Sequence, residues 1–172
     1  MNEYHLTYEL YTDGSCRKNG SPDAVGAYGF ILLNPEGDKV EWEETHAEFS
    51  TTNQRMELMA ALSACRFVQN REIFLNTKTV IYTDSAYLHN CLKQRWYENW
   101  EVNGWVNSKK QPVANKDLWE QLIPFFRWAI FEFKKVPGHQ DNTWNNYIDN
   151  LVQKRSAEAM KGGCCHQRNA EI

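Results

Sequence analysis

The chain contains no run of about 18 apolar residues, the length a helix needs to cross a bilayer, so no membrane span is expected. Its first ten residues, MNEYHLTYEL, are polar where a secretory signal would be apolar, and a cytoplasmic location is expected. A dominant charge is also missing. Lys and Arg number 19 against 22 Asp and Glu, a net charge of −3, so any nucleic-acid partner has to be held by a local patch. Cysteine pairs at zinc-ligand spacing are absent: of the five cysteines, Cys16, Cys65 and Cys91 are scattered, while Cys164 and Cys165 are adjacent. A bond between those two neighbours would close a strained ring, so free thiols are expected, with a redox role as the alternative. No internal repeat and no linker interrupts the chain. What is present is a composition of 42% hydrophobic and 13% aromatic residues over 172 positions, which predicts one domain with a real core.

The first third reads as strands. Residues 5–12 alternate, residues 25–33 (VGAYGFILL) are apolar and aromatic, and residues 39–47 alternate again. CRKNGSPD and NPEGD are the intervening turns, giving three antiparallel strands in succession. The period then changes to that of a helix from Thr52 to about Gln69, with Thr51 or Thr52 as N-cap. Residues 78–83 predict a fourth strand, and Ser85 a cap for a short helix after it. A helix over Asn115–Trp128 is expected to be interrupted by Pro124. FEFKKVPGH reads as a fifth strand running into a loop. A final helix, from about Asp141 to Met160, carries Trp144, Ile148, Leu151 and Val152 on one face. The fold class is α/β in the mixed (α+β) sense: a five-stranded mixed sheet with helices on both faces.

Four acidic residues occupy positions where burial is costly without compensation. Asp13 follows the alternating run in YELYTDGS, and Asp84 ends the strand-like TVIYTDS. Asp149 lies in the last helix, ten residues beyond His139. Glu57 sits on the helical face of Ala60, Ala61, Ala64 and Val68, nearly opposite Arg55, Arg66 and Gln69. A helix-dipole carboxylate is the plainer account of Glu57, but the dipole requires no burial. Four such acids in one small domain point to a divalent-metal site of oxygen ligands, the kind that performs phosphate chemistry.

The succession TDGSC…TTNQRMELMAA…YTDSAY…VPGH…YID resembles type 1 ribonuclease H, from about Tyr8 to Ala159. That resemblance implies a ribonuclease H-like fold, with three antiparallel strands followed by two parallel ones. It implies a single catalytic domain over residues 1–160 and a substrate-binding handle at about 94–115; beyond it KGGCCHQRNAEI, residues 161–172, has no periodicity and reads as a flexible tail. The separate hybrid-binding domain of many eukaryotic members is not expected. The implied activity is endonucleolytic cleavage of the RNA strand of RNA–DNA hybrids, giving 5′-phosphate and 3′-hydroxyl ends. Asp13, Glu57, Asp84 and Asp149 would hold two Mg²⁺ ions, with Mn²⁺ as a substitute. His139 would serve proton transfer or product release, although outside this pattern it would read as an ordinary loop histidine.

By the same resemblance Gly14, Ser15, Cys16, Asn19, Asn53 and Gln54 line the RNA side. The DNA strand would pass over Tyr87, Trp96 and Trp100, with one phosphate held by Thr52 and Asn115. Taken singly, these tryptophans read as core residues and the two amides at 53 and 54 as capping or surface groups. A monomer is expected. Four departures from the family pattern stand out. Ala86 replaces an RNA-contacting amide, Ser50 stands where animal members place a phosphate-binding arginine, and Asn146 replaces a common acid. In the handle, Lys93, Arg95, Lys109, Lys110 and Lys116 are offset by Glu98 and Glu101. The competing readings are a non-catalytic hybrid-binding module, which would be free to lose one of the acids, and another nuclease of the same superfamily.

Overall fold

In a computed structural model, residues 6–137 and 141–162 are described. Five strands form one sheet: β1 (Thr7–Arg17), β2 (Val25–Leu33), β3 (Val40–Phe49), β4 (Lys78–Thr83) and β5 (Phe131–Lys135). Their order across the sheet is β3-β2-β1-β4-β5. β1 pairs antiparallel with β2 and parallel with β4, so it is the strand where the sheet changes sense. β2 pairs antiparallel with β3, and β4 parallel with β5. The helices are α1 (Asn53–Gln69), α2 (Ala86–Lys93), α3 (Trp96–Asn103), α4 (Lys116–Phe126) and α5 (Thr143–Lys161), with a 3₁₀ turn at Glu72–Phe74.

Two apolar layers hold the helices to the sheet. On one face Leu10, Phe30, Leu32 and Ile81 pack with Leu58, Leu62, Leu88, Trp119 and Leu122 from α1, α2 and α4. On the other, Tyr11, Ala27, Ile31 and Leu33 pack with Ile148 and Val152 of α5. Because β2 is covered on both sides, all nine of its residues are buried, which is why its sequence is continuously apolar rather than alternating. Trp144 and Leu151 complete the α5 stripe expected from the sequence.

Three boundaries differ from expectation. β1 does not end at residue 12 but runs to Arg17, because Asp13 to Arg17 pair with Gly29 to Val25. Asp13 therefore lies within a strand, not beyond its end. α4 is not interrupted by Pro124, which lies inside it. Both Pro124 and Glu120 face solvent, so water can solvate the Glu120 carbonyl, whose helical donor the proline ring removes. At the C-terminus α5 runs to Lys161, one residue past its expected end; residues 163–172, with Cys164 and Cys165, lie outside the described residues, as does His139. The expected five-stranded mixed sheet is present. Of the two possible caps of α1, Thr52 is the one: its Oγ1 accepts from Arg55 N at 3.2 Å.

Candidate active site

Strand parity decides which way each acid points. Tyr11 faces α5 and Leu10 faces α1, so Asp13, two residues beyond Tyr11, shares the α5 face, and Gly14 faces α1. A Cβ on Gly14 would lie 2.2 Å from the backbone carbonyl carbon of Met56 and 2.5 Å from Glu57 N. The missing side chain is what lets α1 rest on β1 at this level, which brings Glu57 to the sheet. β4 is in register with β1 through Tyr11 and Tyr82, and Thr12 Oγ1 donates to the Tyr82 carbonyl at 2.8 Å. Asp84, two residues past Tyr82 and just beyond β4, is thereby level with Asp13, just past the last parallel pair of β1 and β4. Asp149 follows the buried anchor Ile148 in α5, whose start is fixed by Asn142 Oδ1 accepting from Asn145 N at 2.9 Å.

The electrostatics reflect this convergence. Asp13 is 7% exposed, and its Oδ2 is buried with no hydrogen-bond partner among the described residues. Desolvation, then the charges of Asp84 and Asp149, push its carboxyl up to about 8; a hydrogen bond with the Asp149 carboxyl acts the same way, because a shared proton favours the neutral acid. Glu57 is raised by desolvation and by Asp84, against a hydrogen bond from Ser85. Asp84 is an exposed residue whose carboxyl is still raised, by partial desolvation first and by Asp149, with the Asn145 amide and Lys135 opposing.

The donor set suits a hard divalent cation: carboxylate oxygens, one of them buried and unsatisfied, with no thiolate or imidazole among them. Among the described residues no three acidic, histidine or cysteine side chains are grouped closely enough to hold a metal ion. Of the free thiols, burial pushes that of Cys91 up to about 12 and that of Cys65 higher still, so neither is a nucleophile.

Two cavities hold other candidate residues, and one of them reaches Glu57. One, of about 510 Å³, is lined by Asn19, Thr52, Asn53, Gln54, Glu57 and Asn115, among others. Around it, Asn53 Oδ1 accepts from Cys16 N at 2.6 Å and Asn53 N donates to Asn19 Oδ1 at 2.9 Å, tying β1 and its following loop to the start of α1. Ser15 Oγ accepts from Gln153 Nε2 at 3.2 Å, so it faces α5. The other cavity, of about 540 Å³, gathers Tyr87, Trp96 and Trp100 with Asn99, Asn103 and Asn107. Ala114 lines both. Trp100 is both a core residue and a cavity wall, 8% exposed, while Trp96 is half-buried. Ser50 turns away, at φ 52°, with its hydroxyl donating to the Pro22 carbonyl at 2.9 Å.

Three contributors escaped the sequence. Ser85 was legible as a cap, and its Oγ does accept from Leu88 N, but it also donates to Glu57 Oε2 at 2.5 Å and so fixes that carboxylate. Trp119 is fully buried and carries Tyr87 and Trp100 edge-on, at 5.7 and 5.4 Å between ring centroids. Arg55 reaches across to α4. Only the position of Ser85 directly after Asp84 could have flagged its second role.

The sheet order, with Asp13 on the strand where the sense changes and Asp84 and Asp149 acting on it, is that of a ribonuclease H-like fold. The RNase H family model matches residues 5–157, and the chain belongs to the RNase H family. Ribonuclease H of Syntrophomonas wolfei is 42% identical over 144 residues, 84% of this chain and 92% of that protein. The ribonuclease H of Moorella thermoacetica is 44% identical over 144 residues, covering 84% and 88%. Among solved structures, LC9-RNase H1, a type 1 RNase H with the type 2 active-site motif, aligns with a TM-score of 0.72 at 25% identity, over 89% of this chain and 73% of that one. A foamy viral protease-reverse transcriptase in complex with RNA/DNA hybrid aligns with a TM-score of 0.74 at 21% identity, over 90% of this chain and 20% of that one; it bears on the fold alone.

Proposed function

We propose that this ribonuclease H hydrolyses the RNA strand of RNA–DNA hybrids by two-metal-ion catalysis, leaving 5′-phosphate and 3′-hydroxyl ends. The observation that carries the reading is the buried, unsatisfied Asp13 oxygen beside Asp84 and Asp149, with Glu57 next to Asp84 and lining a cavity rich in amides. Asp13 is assigned to both ions, Glu57 and Asp84 to the one on the leaving-group side, and Asp149 to the one on the nucleophile side. Bound there, a pair of Mg²⁺ ions would polarise the scissile phosphate and promote ionisation of the attacking water. Ser85 holds Glu57 in place, and Asn145 does the same for Asp84. His139 is assigned to proton transfer or product release, for which imidazole's ordinary pKa is suited. Discrimination of RNA from DNA is assigned to contacts with the 2′-hydroxyl from Gly14, Ser15, Cys16, Asn19, Asn53 and Gln54. The DNA strand is assigned to the Tyr87–Trp96–Trp100 cavity.

The test pairs the wild type with Asp84→Asn on a labelled hybrid, a DNA duplex and an RNA duplex, each with Mg²⁺ and with chelator. Rapid cleavage is expected only where wild type, hybrid and metal are combined; equal cleavage of the hybrid by the variant, or with chelator present, would refute the assignment. Handle electrostatics give a second expectation. Arg95 pairs with Glu98 at 3.4 Å and Lys116 with Glu120 at 3.6 Å, so two of the five handle cations are already neutralised, while Glu101 pairs with Arg127 outside the handle at 2.6 Å. Log KM against log salt is therefore expected to be shallower than for a lysine-rich relative, and a steeper slope would contradict this.

A further inference from the structure

Asn115 is an N-cap that does not cap. It precedes α4 at φ 58°, a left-handed conformation asparagine tolerates, yet its side chain makes no capping hydrogen bond. Its Oδ1 instead accepts from Arg55 Nη1 at 3.2 Å. Arg55 is itself held by a two-pronged ion pair with Asp117, Nη1 to Oδ1 at 3.2 Å and Nη2 to Oδ2 at 2.9 Å. A guanidinium only donates, so the Asn115 atom meeting it has to be the carbonyl oxygen, and the two N–H groups of the amide are left over.

The same polarity recurs around the 510 Å³ cavity. Thr52 Oγ1 accepts from Arg55 N, Asn53 Oδ1 from Cys16 N and Asn19 Oδ1 from Asn53 N. Each side chain has used an acceptor on the protein's own N–H groups and retains its donors. A lining of that kind fits a group that accepts hydrogen bonds and donates none, as a phosphodiester does. Arg55, whose guanidinium meets the Asn115 wall of the cavity, is already paired.

We propose that Arg55 and Asp117 are positioning residues: Asp117 anchors the guanidinium, Arg55 turns the Asn115 amide, and the phosphate of the bound strand meets uncharged donors rather than the arginine. This rests on the hybrid-nuclease reading and deepens it. Because Asp117 is exposed, loss of the pair is expected to lower the melting temperature only slightly.

A direct arginine–phosphate contact and an arginine that acts through Asn115 predict opposite signs. Asp117→Asn makes the surface one charge more positive and frees Arg55. If Arg55 bound phosphate itself, the hybrid would bind more tightly. If it acts through Asn115, the hybrid binds about 10- to 100-fold more weakly, the scale of one lost hydrogen bond to a charged group. Binding is measured with chelator present, so catalysis plays no part, and melting temperature is followed alongside.

The second arm uses hybrids whose DNA strand carries one methylphosphonate, which removes a charged acceptor oxygen, moved one linkage at a time. In the wild type one linkage is expected to cost a similar factor, and in Asp117→Asn that linkage is expected to cost less than about 2-fold, because the contact is already lost. Tighter binding by Asp117→Asn, or full additivity of the two losses, would overturn the proposal. Failure of the wild type to bind or cleave any hybrid would instead overturn the functional reading beneath it.

Discussion

Asparagine in place of Asp13 is expected to reduce hybrid cleavage at least about a thousandfold and, without divalent ions, to make the protein more stable. The activity loss follows from removing the acid assigned to both ions, a loss of several kcal/mol of transition-state stabilisation. The stability gain follows from linkage. The Asp13 carboxyl titrates at about 8 in the folded protein against an ordinary 3.8. Between those values the folded state binds the extra proton, so stability falls as pH rises through the window and recovers below about pH 4. At pH 7 the penalty is of the order of 2–4 kcal/mol, and an amide of the same shape escapes it.

Divalent ions invert the comparison, because a cation that binds only the folded wild type stabilises it by mass action. Thermal melts of both proteins between pH 4 and 8, with chelator and with Mg²⁺, measure all of this. Glu57 and Asp84 are also raised, so the variant keeps a weaker slope of the same sign. A variant melting below the wild type at pH 7 in chelator would show that the acids are not crowded as described.

Gly14→Ala is expected to cost about 3 kcal/mol and most of the activity together. The added methyl would stand 2.2 Å from the Met56 carbonyl carbon and 2.4 Å from its oxygen, and the obstacle is helix backbone, which cannot rotate aside. α1 has to lift from β1, and Glu57 goes with it. A drop in melting temperature of the order of 10 °C corresponds to that cost in a chain of this size. Denaturant midpoints and kcat measured on one preparation test it: unchanged midpoints would mean that the helix and strand are not in contact at this level.

The sequence carried the parts of the fold that depend on period. VGAYGFILL read as a strand, though not as one covered on both faces, and the Trp144–Ile148–Leu151–Val152 stripe marked α5 correctly. What it hid was set by tertiary partners. Asp13, Gly14 and Ser15 are turn-formers by local preference, yet pairing with Gly29, Tyr28 and Ala27 extends β1 through them. Pro124 reads as a helix breaker until the solvent beside Glu120 is seen. The four acids were legible because their motifs are local to each element. The Arg55–Asp117 pair spans 62 residues, and the Ser85–Glu57 bond spans 28 between different elements, so no spacing rule reveals either.

The parallel pairing of β1 with β4, and the packing of α5 against β1 and β2, bear on the order in which a nascent chain matures. The β1–β2–β3 meander closes through short turns and can form early during translation, with Asp13 as a lone acid. β4 then adds Asp84, and Asp149 arrives only when α5 has emerged and docked. Electrostatic crowding is thus deferred until nearly all the core is buried, and a ribosome-bound fragment ending before α5 would fold its meander without paying for the assembled centre.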